Sequence, residues 1–231
     1  MLTTNWLVNI LKGTQEVQVA LKDGKKPQLR NSVATKERIL SAATRQFAKM
    51  GFDGARVDQI ARDAQSNKQM LYHYFGDKDA LFTAVLERAY EDIRRQETEL
   101  LLDPMPADQA ILKLVEFTWG YYLANPDFIR LLNSENQLEA RHLKASERLR
   151  PLNASHLGRV SKLLKRGVEE GTVRRDLDAM QLNVNIAALG FFYLMNRHTL
   201  STVFEKDLGS KRMLSERLLV MKEMIARWIC P

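Results

Sequence analysis

The sequence has a single cysteine, Cys230, one position before its last residue. One cysteine excludes an intrachain disulfide and any metal site built from a cysteine cluster, and we expect Cys230 to be a reduced thiol. The four histidines do not have the spacing of a metal-binding motif. We therefore predict no metal site.

Long apolar runs are also lacking. The longest nearly unbroken one, residues 186–195, is about half of the roughly 20 residues that a membrane-spanning helix needs. The first residues, MLTTNWLVNILKG, contain neither a basic leader nor a small-residue cleavage site, so we expect no secretory signal. These absences predict a cytoplasmic protein without a membrane partner.

Catalytic motifs are missing as well. The sequence contains no glycine-rich phosphate loop, no HExxH zinc motif and no nucleophile elbow. We therefore predict neither an enzyme nor a bound cofactor. The net charge of +7 favours an anionic partner, although the basic residues are spread along the chain. The stretch 64–76 is more informative, because it holds Lys68 and His73 and no acidic residue that would repel phosphates.

The sequence is rich in helical periodicity. Apolar residues recur every three and four positions, glycines fall at predicted helix ends and strand-like alternation is rare, so we predict an all-α fold. Asp103, Pro104 and Pro106 break the pattern and indicate a domain boundary between about 95 and 106. The predicted organisation is a flexible N-terminal arm over 1–33, a compact domain over 34–95 and a second domain over 96–231. Helices of the second domain are predicted at about 107–124, 126–133, 146–167, 178–197 and 212–229.

The compact domain has the pattern of three helices before a long connecting helix. The first begins at Thr35 and ends at Gly51, with an apolar face formed by Ile39, Ala43, Phe47 and Met50. Two short helices follow, and the second has one packed face and one free face: Leu71, Tyr74 and Phe75 against Gln69 and His73. Such a pair is typical of a helix-turn-helix, whose second helix enters the major groove of DNA, but it also occurs as ordinary helix packing.

The segment GFDGARVDQIARDAQSNKQMLYHYFGDKDALFTAV resembles the signature of the tetracycline repressor (TetR) family. The resemblance lies in its glycine-aromatic pair, isoleucine-alanine helix, leucine-tyrosine-x-tyrosine-phenylalanine recognition helix and following lysine, and it covers about 35–95. It implies a three-helix DNA-binding domain joined by a long helix to an all-helical domain for ligand binding and dimerisation. It also implies a repressor that binds a palindromic operator as a homodimer and is released by a small-molecule effector. The segments NPDFIRLLNSEN, ARHL and IAALGFFYLMNRHTLS resemble a subgroup that controls catabolism of small nitrogen-containing or aromatic compounds.

The candidate DNA contacts are Arg56, Asn67, Lys68, Gln69, Met70, Tyr72, His73 and Lys78. Asn67 can cap the recognition helix and donate to a phosphate. Lys68 can neutralise a phosphate or reach guanine, Gln69 can pair with adenine, and Met70 can touch a thymine methyl group. Tyr72, His73 and Lys78 are implied by the resemblance, and Arg56 can hold a phosphate through its guanidinium. Four candidates have a purely structural alternative: a cap without DNA contact for Asn67, a half-buried ring for Tyr72, and a solvated side chain for His73 and Lys78.

Two positions depart from the family pattern. Arg56 stands where the family usually has a threonine that caps the first short helix, and Gln65 stands where the turn usually has glycine. Gln65 would then take a left-handed conformation at a cost of roughly 1 kcal/mol. The basic arm, with Lys22, Lys25, Lys26 and Arg30, is either a solvated tail or a contact to a flanking minor groove.

The second domain offers aromatic and polar residues for an effector site, although most of its aromatic residues will be ordinary core. The candidates are Phe117, Tyr121, Tyr122, Phe128, Asn136, His142, Phe191, Phe192, Met195 and His198. The helices at about 178–197 and 212–229 are the candidate dimer interface, because both are strongly apolar. Binding of another protein through the two short helices of the first domain remains the alternative function. The residues also leave open whether the regulator represses or activates.

Overall fold

The computed structural model describes the backbone of residues 26–231 and the side chains of residues 32–231. Across this part of the chain it contains eleven helices and no strand, which confirms the all-α prediction. In chain order they are α1 (Lys26–Gly54), α2 (Val57–Asp63), α3 (Lys68–Phe75), α4 (Lys78–Thr98), α5 (Ala107–Ala124), α6 (Pro126–Gln137), α7 (Arg141–Ala145), α8 (Leu149–Glu170), α9 (Ala179–Met195), α10 (Arg197–Val203) and α11 (Lys211–Ile229).

The chain is already helical at Lys26, the first described residue, so the predicted helix start at Thr35 is wrong. The helix therefore extends into the region predicted as a flexible arm. Residue 27 is a proline, which fits the first turn of a helix, and no helix breaker lies between it and Thr35. The remainder of the arm, and the side chains of Lys22, Lys25, Lys26 and Arg30, lie outside the described residues.

Gly51 interrupts α1, as the sequence predicted. Its φ of 69° and ψ of 177° are not helical, and one further turn leads to Gly54. The predicted apolar face is correct for Ile39, Ala43 and Phe47 but wrong for Met50, which is 51% exposed. Phe52 takes its place, because the break turns the chain so that the Phe52 ring stacks 6.1 Å from the ring of Phe47.

The second domain follows the predicted helices closely. Helix α5 has the predicted bounds, α6 continues to Gln137, and α8 begins and ends three residues later than predicted. The short helices α7 and α10 were not predicted, because their sequences, RHLKA and RHTLSTV, contain too few apolar residues to show a helical period.

The apolar cores of the two domains are connected through α6. The first core lies among α1–α4 and is centred on Phe47 and Phe82, and it also contains Leu131 from α6. The second core lies among α5, α8, α9 and α11. A third cluster around Phe128 joins α4, α5 and α6. A movement of α6 would therefore disturb the packing of both domains.

Gly167 sits where α8 crosses the start of α5. A Cβ at this position would lie 2.8 Å from Val173 Cβ and 3.0 Å from Ala107 Cβ. Because both neighbours are fully buried, we expect Gly167→Ala to lower the free energy of unfolding by about 1–3 kcal/mol. Gly158→Ala on the same helix is the matched control, since a Cβ there meets nothing within 4 Å and alanine favours the helix by roughly 0.5–1 kcal/mol. Thermal unfolding of both variants tests this, and equal midpoints would contradict it.

Candidate DNA-binding surface and ligand cavity

Helices α2 and α3 are joined by a tight turn over residues 64–67. Gln65 has a φ of 50°, which confirms the predicted left-handed conformation of a non-glycine residue. The amide of Ser66 donates to the carbonyl of Ala61 at 2.9 Å, so the last turn of α2 is closed. Asn67 caps α3 as predicted, because its Oδ1 accepts a hydrogen bond from the amide of Met70 at 2.7 Å. The turn therefore fixes the start of α3.

Helix α3 has the packed and free faces expected of a recognition helix. Leu71 is fully buried, and Tyr74 and Phe75 pack against the first core. The candidate contacts on α3 and at its cap lie on the other side: Met70 is half-buried, while Asn67, Lys68, Gln69, Tyr72 and His73 are exposed. The exposed side of α3 is therefore accessible to a macromolecular surface.

Lys68 has an acidic neighbour that the sequence analysis missed. Its ammonium lies 3.1 Å from a carboxylate oxygen of Asp58 on α2, and the hydrogen bond to Asp58 raises the pKa of Lys68. Both side chains are more than half exposed, so the pair contributes little to stability. A phosphate that binds Lys68 would replace or share this partner.

Arg56 and Lys78 flank the helix pair. Arg56 occupies the cap position of α2, is exposed and makes no capping hydrogen bond with its side chain. Lys78 begins α4, and its ammonium lies 3.3 Å from the carbonyl oxygen of Asp53 and 4.7 Å from the centre of the Phe52 ring. Lys78 thus connects the end of α1 to the start of α4. This structural role is compatible with a contact to DNA.

The second domain encloses a cavity of about 160 Å³ among α4, α5, α6, α8 and α9, which we call the central cavity. It is lined by Tyr90, Ile93, Arg94, Glu97, Leu114, Thr118, Tyr122, Phe128, Leu132, His156, Val160, Asn183, Ile186 and Ala187. A larger, more open cavity of about 310 Å³, the outer cavity, lies between the end of α4 and α8. The two share Glu97, Leu114 and Val160 in their walls, so they are adjacent.

A polar network centred on Glu97 lies in the wall of the central cavity. One carboxylate oxygen of Glu97 is 2.6 Å from Nη1 of Arg94, and the other is 2.5 Å from Nδ1 of His156. The Nε2 atom of His156 lies 2.6 Å from Oδ1 of Asn183. Both ring nitrogens of His156 therefore face side-chain oxygen atoms.

The pKa values of the ionisable groups in this wall shift in opposite directions. Burial alone would raise the pKa of Glu97, but the hydrogen bond and charge of His156, together with Arg94, outweigh it and hold that pKa below its usual value. Burial raises the pKa of Tyr90, and it raises the pKa of Tyr122 to about 12. At neutral pH the cavity thus contains one ionised carboxylate and neutral phenols.

The predicted ligand residues are divided among several places. Tyr122 and Phe128 line the central cavity. Tyr121 lines a groove between the domains, where its hydroxyl donates to Asp92 at 2.9 Å, and burial raises its pKa. Met195 and His198 line a separate groove of about 210 Å³ at the end of α9. The remaining candidates line none of these four cavities: Phe117, Asn136, His142, Phe191 and Phe192.

Each of these remaining residues has another environment. Phe117 and Phe191 pack against the third apolar cluster, and Asn136 and Phe192 are exposed. Sequence reasoning missed Arg94, Glu97, His156 and Asn183. The first two form an i,i+3 pair on α4 that resembles a solvated surface pair, so only the tertiary structure identifies them as cavity residues.

His142 lies at the junction between the two domains. Its ring is 3% exposed and packs with its centre 4.8 Å from the rings of both Phe52 and Phe82. The buried carboxylate of Glu135 accepts hydrogen bonds from the backbone amides of His142 and Leu143 at 2.7 and 2.9 Å, and its other oxygen lies 2.7 Å from Nδ1 of His142. Glu135 and His142 together join α6 and α7 to the first core.

Two further contacts extend this junction to the helix-turn-helix domain. The backbone amide of Phe52 donates to the Ser134 hydroxyl at 3.0 Å. The guanidinium of Arg141 lies 2.7 Å from the carboxylate of Asp79, near the start of α4. The end of α1 and the start of α4 are therefore both attached to the α6–α7 segment.

Within the described residues, no helix is long and apolar enough to cross a membrane. The same part of the chain contains no group of three histidine, cysteine or carboxylate side chains placed to hold a metal ion.

A helix-turn-helix with a free recognition face, joined to a helical domain with an internal cavity, defines a DNA-binding regulator. The family model for "Bacterial regulatory proteins, tetR family" matches residues 39–85, and the model for "Tetracyclin repressor-like, C-terminal domain" matches residues 108–225. The chain therefore belongs to the TetR family. Proteins of this family are ligand-responsive transcriptional regulators that act as dimers, and they are not enzymes.

Individual relatives agree with this assignment. The chain is 37% identical over 193 residues to the HTH-type transcriptional repressor NicS of Pseudomonas putida, which covers 84% of this chain and 91% of that protein. The crystal structure of SCO4942 from Streptomyces coelicolor is 26% identical and covers 84% of this chain and 98% of that one, with a TM-score of 0.65. FadR of Bacillus subtilis, solved in complex with stearoyl-CoA, shares the fold at 17% identity over 84% of this chain and 99% of that one, with a TM-score of 0.60.

Proposed function

We propose that this regulator is a repressor, that its homodimer binds a palindromic operator through α3, and that a small molecule in the central cavity releases it. The observation that carries the proposal is the exposed polar face of a capped α3 in the same chain as an internal cavity whose largely apolar wall contains a polar network. Repression is supported by the likeness to NicS, which extends over both domains.

We propose that the operator is read by the exposed side of α3. Lys68 and Gln69 follow the cap directly, and the N-terminal residues of a recognition helix are those that meet base edges. Asn67, Tyr72, His73 and Arg56 border them and are positioned to contact the backbone on either side. Met70 and Lys78 are less accessible and would make the smaller contributions.

We propose that α9 and α11 form the dimer interface. Both helices bury one face in the second core and leave apolar side chains exposed on the other: Met180, Val184 and Phe192 on α9, and Leu219, Val220 and Met224 on α11. Apolar groups at such spacing on two neighbouring helices favour a symmetric bundle with the same helices of a second copy.

The ligand signal would pass through α6. Phe128 and Leu132 line the central cavity, while Leu131, Ser134 and Glu135 of the same helix contact the first core or its junction. A ligand that displaces Phe128 would therefore move groups that position α1 and α4. Operator half-sites lie about 34 Å apart, so a small rotation of each DNA-binding domain is enough to weaken binding.

The test is selection of bound duplexes from a random pool at physiological salt, followed by affinity measurements on the enriched site and a scrambled control. We expect a palindrome that binds roughly a thousandfold tighter than the control. Absence of enrichment, with weak binding that decreases equally for all sequences as salt rises, would contradict the proposal and favour a protein partner for α3.

A further inference from the structure

Glu97 is the only carboxylate that lines the central cavity, and several groups share it. Its oxygens lie 2.6 Å from Arg94 and 2.5 Å from Nδ1 of His156, and 3.5 Å from Arg159, which is partly exposed and lines the outer cavity. The side chain of Arg94 is 13% exposed and therefore shares its one counter-ion. An incompletely neutralised guanidinium in a largely apolar enclosure favours the entry of another anion, because burial makes charge costly.

Hydrogen-bond donors are in excess as well. The Nε atom of Arg94 is buried and has no partner within the described part of the chain. Both oxygens of Glu97 are already occupied by Arg94 and His156, and Oδ1 of Asn183 is occupied by His156. An unsatisfied buried donor is costly, so a ligand that brings acceptor atoms to Arg94 is preferred over one that brings donors.

The walls define the shape of the ligand. Tyr90, Tyr122 and Phe128 present ring surfaces, and Ile93, Leu132 and Ile186 complete an apolar lining. A dry cavity of about 150 Å³ holds one benzene ring, so the 160 Å³ central cavity is the size of a single ring with a small substituent. Aromatic walls favour a planar ring through edge and face contacts.

We propose that the effector is a compact aromatic monocarboxylate, whose carboxylate binds Arg94 and whose ring lies among Tyr90, Tyr122 and Phe128. The proposal rests on the assignment of the central cavity as the effector site. A carboxylate supplies acceptors for the guanidinium of Arg94, including its unpartnered Nε, and adds a counter-ion to the Glu97 carboxylate that Arg94 shares with His156. Long acyl chains exceed the volume of the central cavity.

The experiment uses benzoate and its neutral analogue benzamide as probes, with binding to the full-length protein measured by calorimetry in the absence of DNA. We expect benzoate to bind at least roughly tenfold more tightly than benzamide, since the amide keeps one acceptor oxygen for Arg94 but lacks the negative charge and the second acceptor oxygen. Arg94→Gln should weaken benzoate binding by about 10- to 100-fold. Arg130→Gln on α6 is the matched control and should bind benzoate as the parent does, because Arg130 lines the neighbouring groove at the end of α9 and not the central cavity.

A second variant tests the inference independently if Arg94→Gln fails to fold. Glu97→Gln removes the competing carboxylate and leaves Arg94 in place, so it should bind benzoate more tightly than the parent. Equal binding of both probes, no binding of benzoate, or unchanged benzoate affinity in both cavity variants would overturn the inference. Benzoate binding without release of the selected operator would instead count against the proposed function, so the two failures are distinguishable.

Discussion

Replacement of Lys68 and Gln69 together by alanine should lower affinity for the selected operator by roughly 2–5 kcal/mol, which is more than tenfold and up to several thousandfold. The loss combines a base pairing by Gln69 with a phosphate or guanine contact by Lys68. The fold should not change, because both side chains are exposed, alanine favours helix and the Asn67 cap remains. Electrophoretic or fluorescence titration of the selected duplex measures the effect.

The single variants separate the two roles. Gln69→Ala should relax specificity at one base position, whereas Lys68→Ala should weaken binding to all sequences and reduce the slope of the salt dependence by about 1. Lys165→Ala is the charge-matched control, since Lys165 is 80% exposed on α8 and far along the chain from α3. If the double variant bound the operator as tightly as this control, α3 would not be the recognition helix.

Loss of Glu135 should be the most damaging change at the domain junction. The side chain is 1% exposed and accepts three hydrogen bonds, two from backbone amides and one from the His142 ring. Glu135→Ala would leave these donors unpaired in a buried site, so we expect the free energy of unfolding to fall by about 3–5 kcal/mol. Urea unfolding at fixed protomer concentration measures the change, because dimerisation contributes to apparent stability.

Glu135→Gln is the matched comparison for that variant. The amide keeps the volume and one acceptor oxygen, and the His142 ring can change its tautomer to accept from the new amide group. Its loss of stability should therefore be clearly smaller. A difference of less than about 1 kcal/mol between Glu135→Ala and the parent would mean that water replaces the carboxylate and that the junction is less enclosed than its burial indicates.

The features that sequence reasoning found are those with local causes. The cap at Asn67, the break at Gly51 and the strained turn at Gln65 depend on residues within a few positions of each other. Helix α5 has the predicted bounds, because its apolar period and the break before it are both local. The predicted start of α1 at Thr35 was wrong because the residues before it show no apolar period strong enough to distinguish a helix from a solvated chain.

The features that sequence reasoning could not locate depend on contacts between distant segments. His142 carries the polar and aromatic character of a ligand residue, yet Glu135, Phe52 and Phe82 enclose it at the junction. Arg94 and Glu97 have the spacing of a surface pair, yet α5, α8 and α9 cover them.

The sequence by itself therefore determined the helical class, the helix-turn-helix and the family, because helical period, caps and the recognition motif are read over short stretches of chain. Only the tertiary structure decided which side chains surround the cavity and how α6 connects it to the DNA-binding domain. The physical reason is that burial and charge pairing are set by helices up to about a hundred residues apart, as with Lys222 and Glu116, whose separation is 106 positions. No local pattern encodes that proximity.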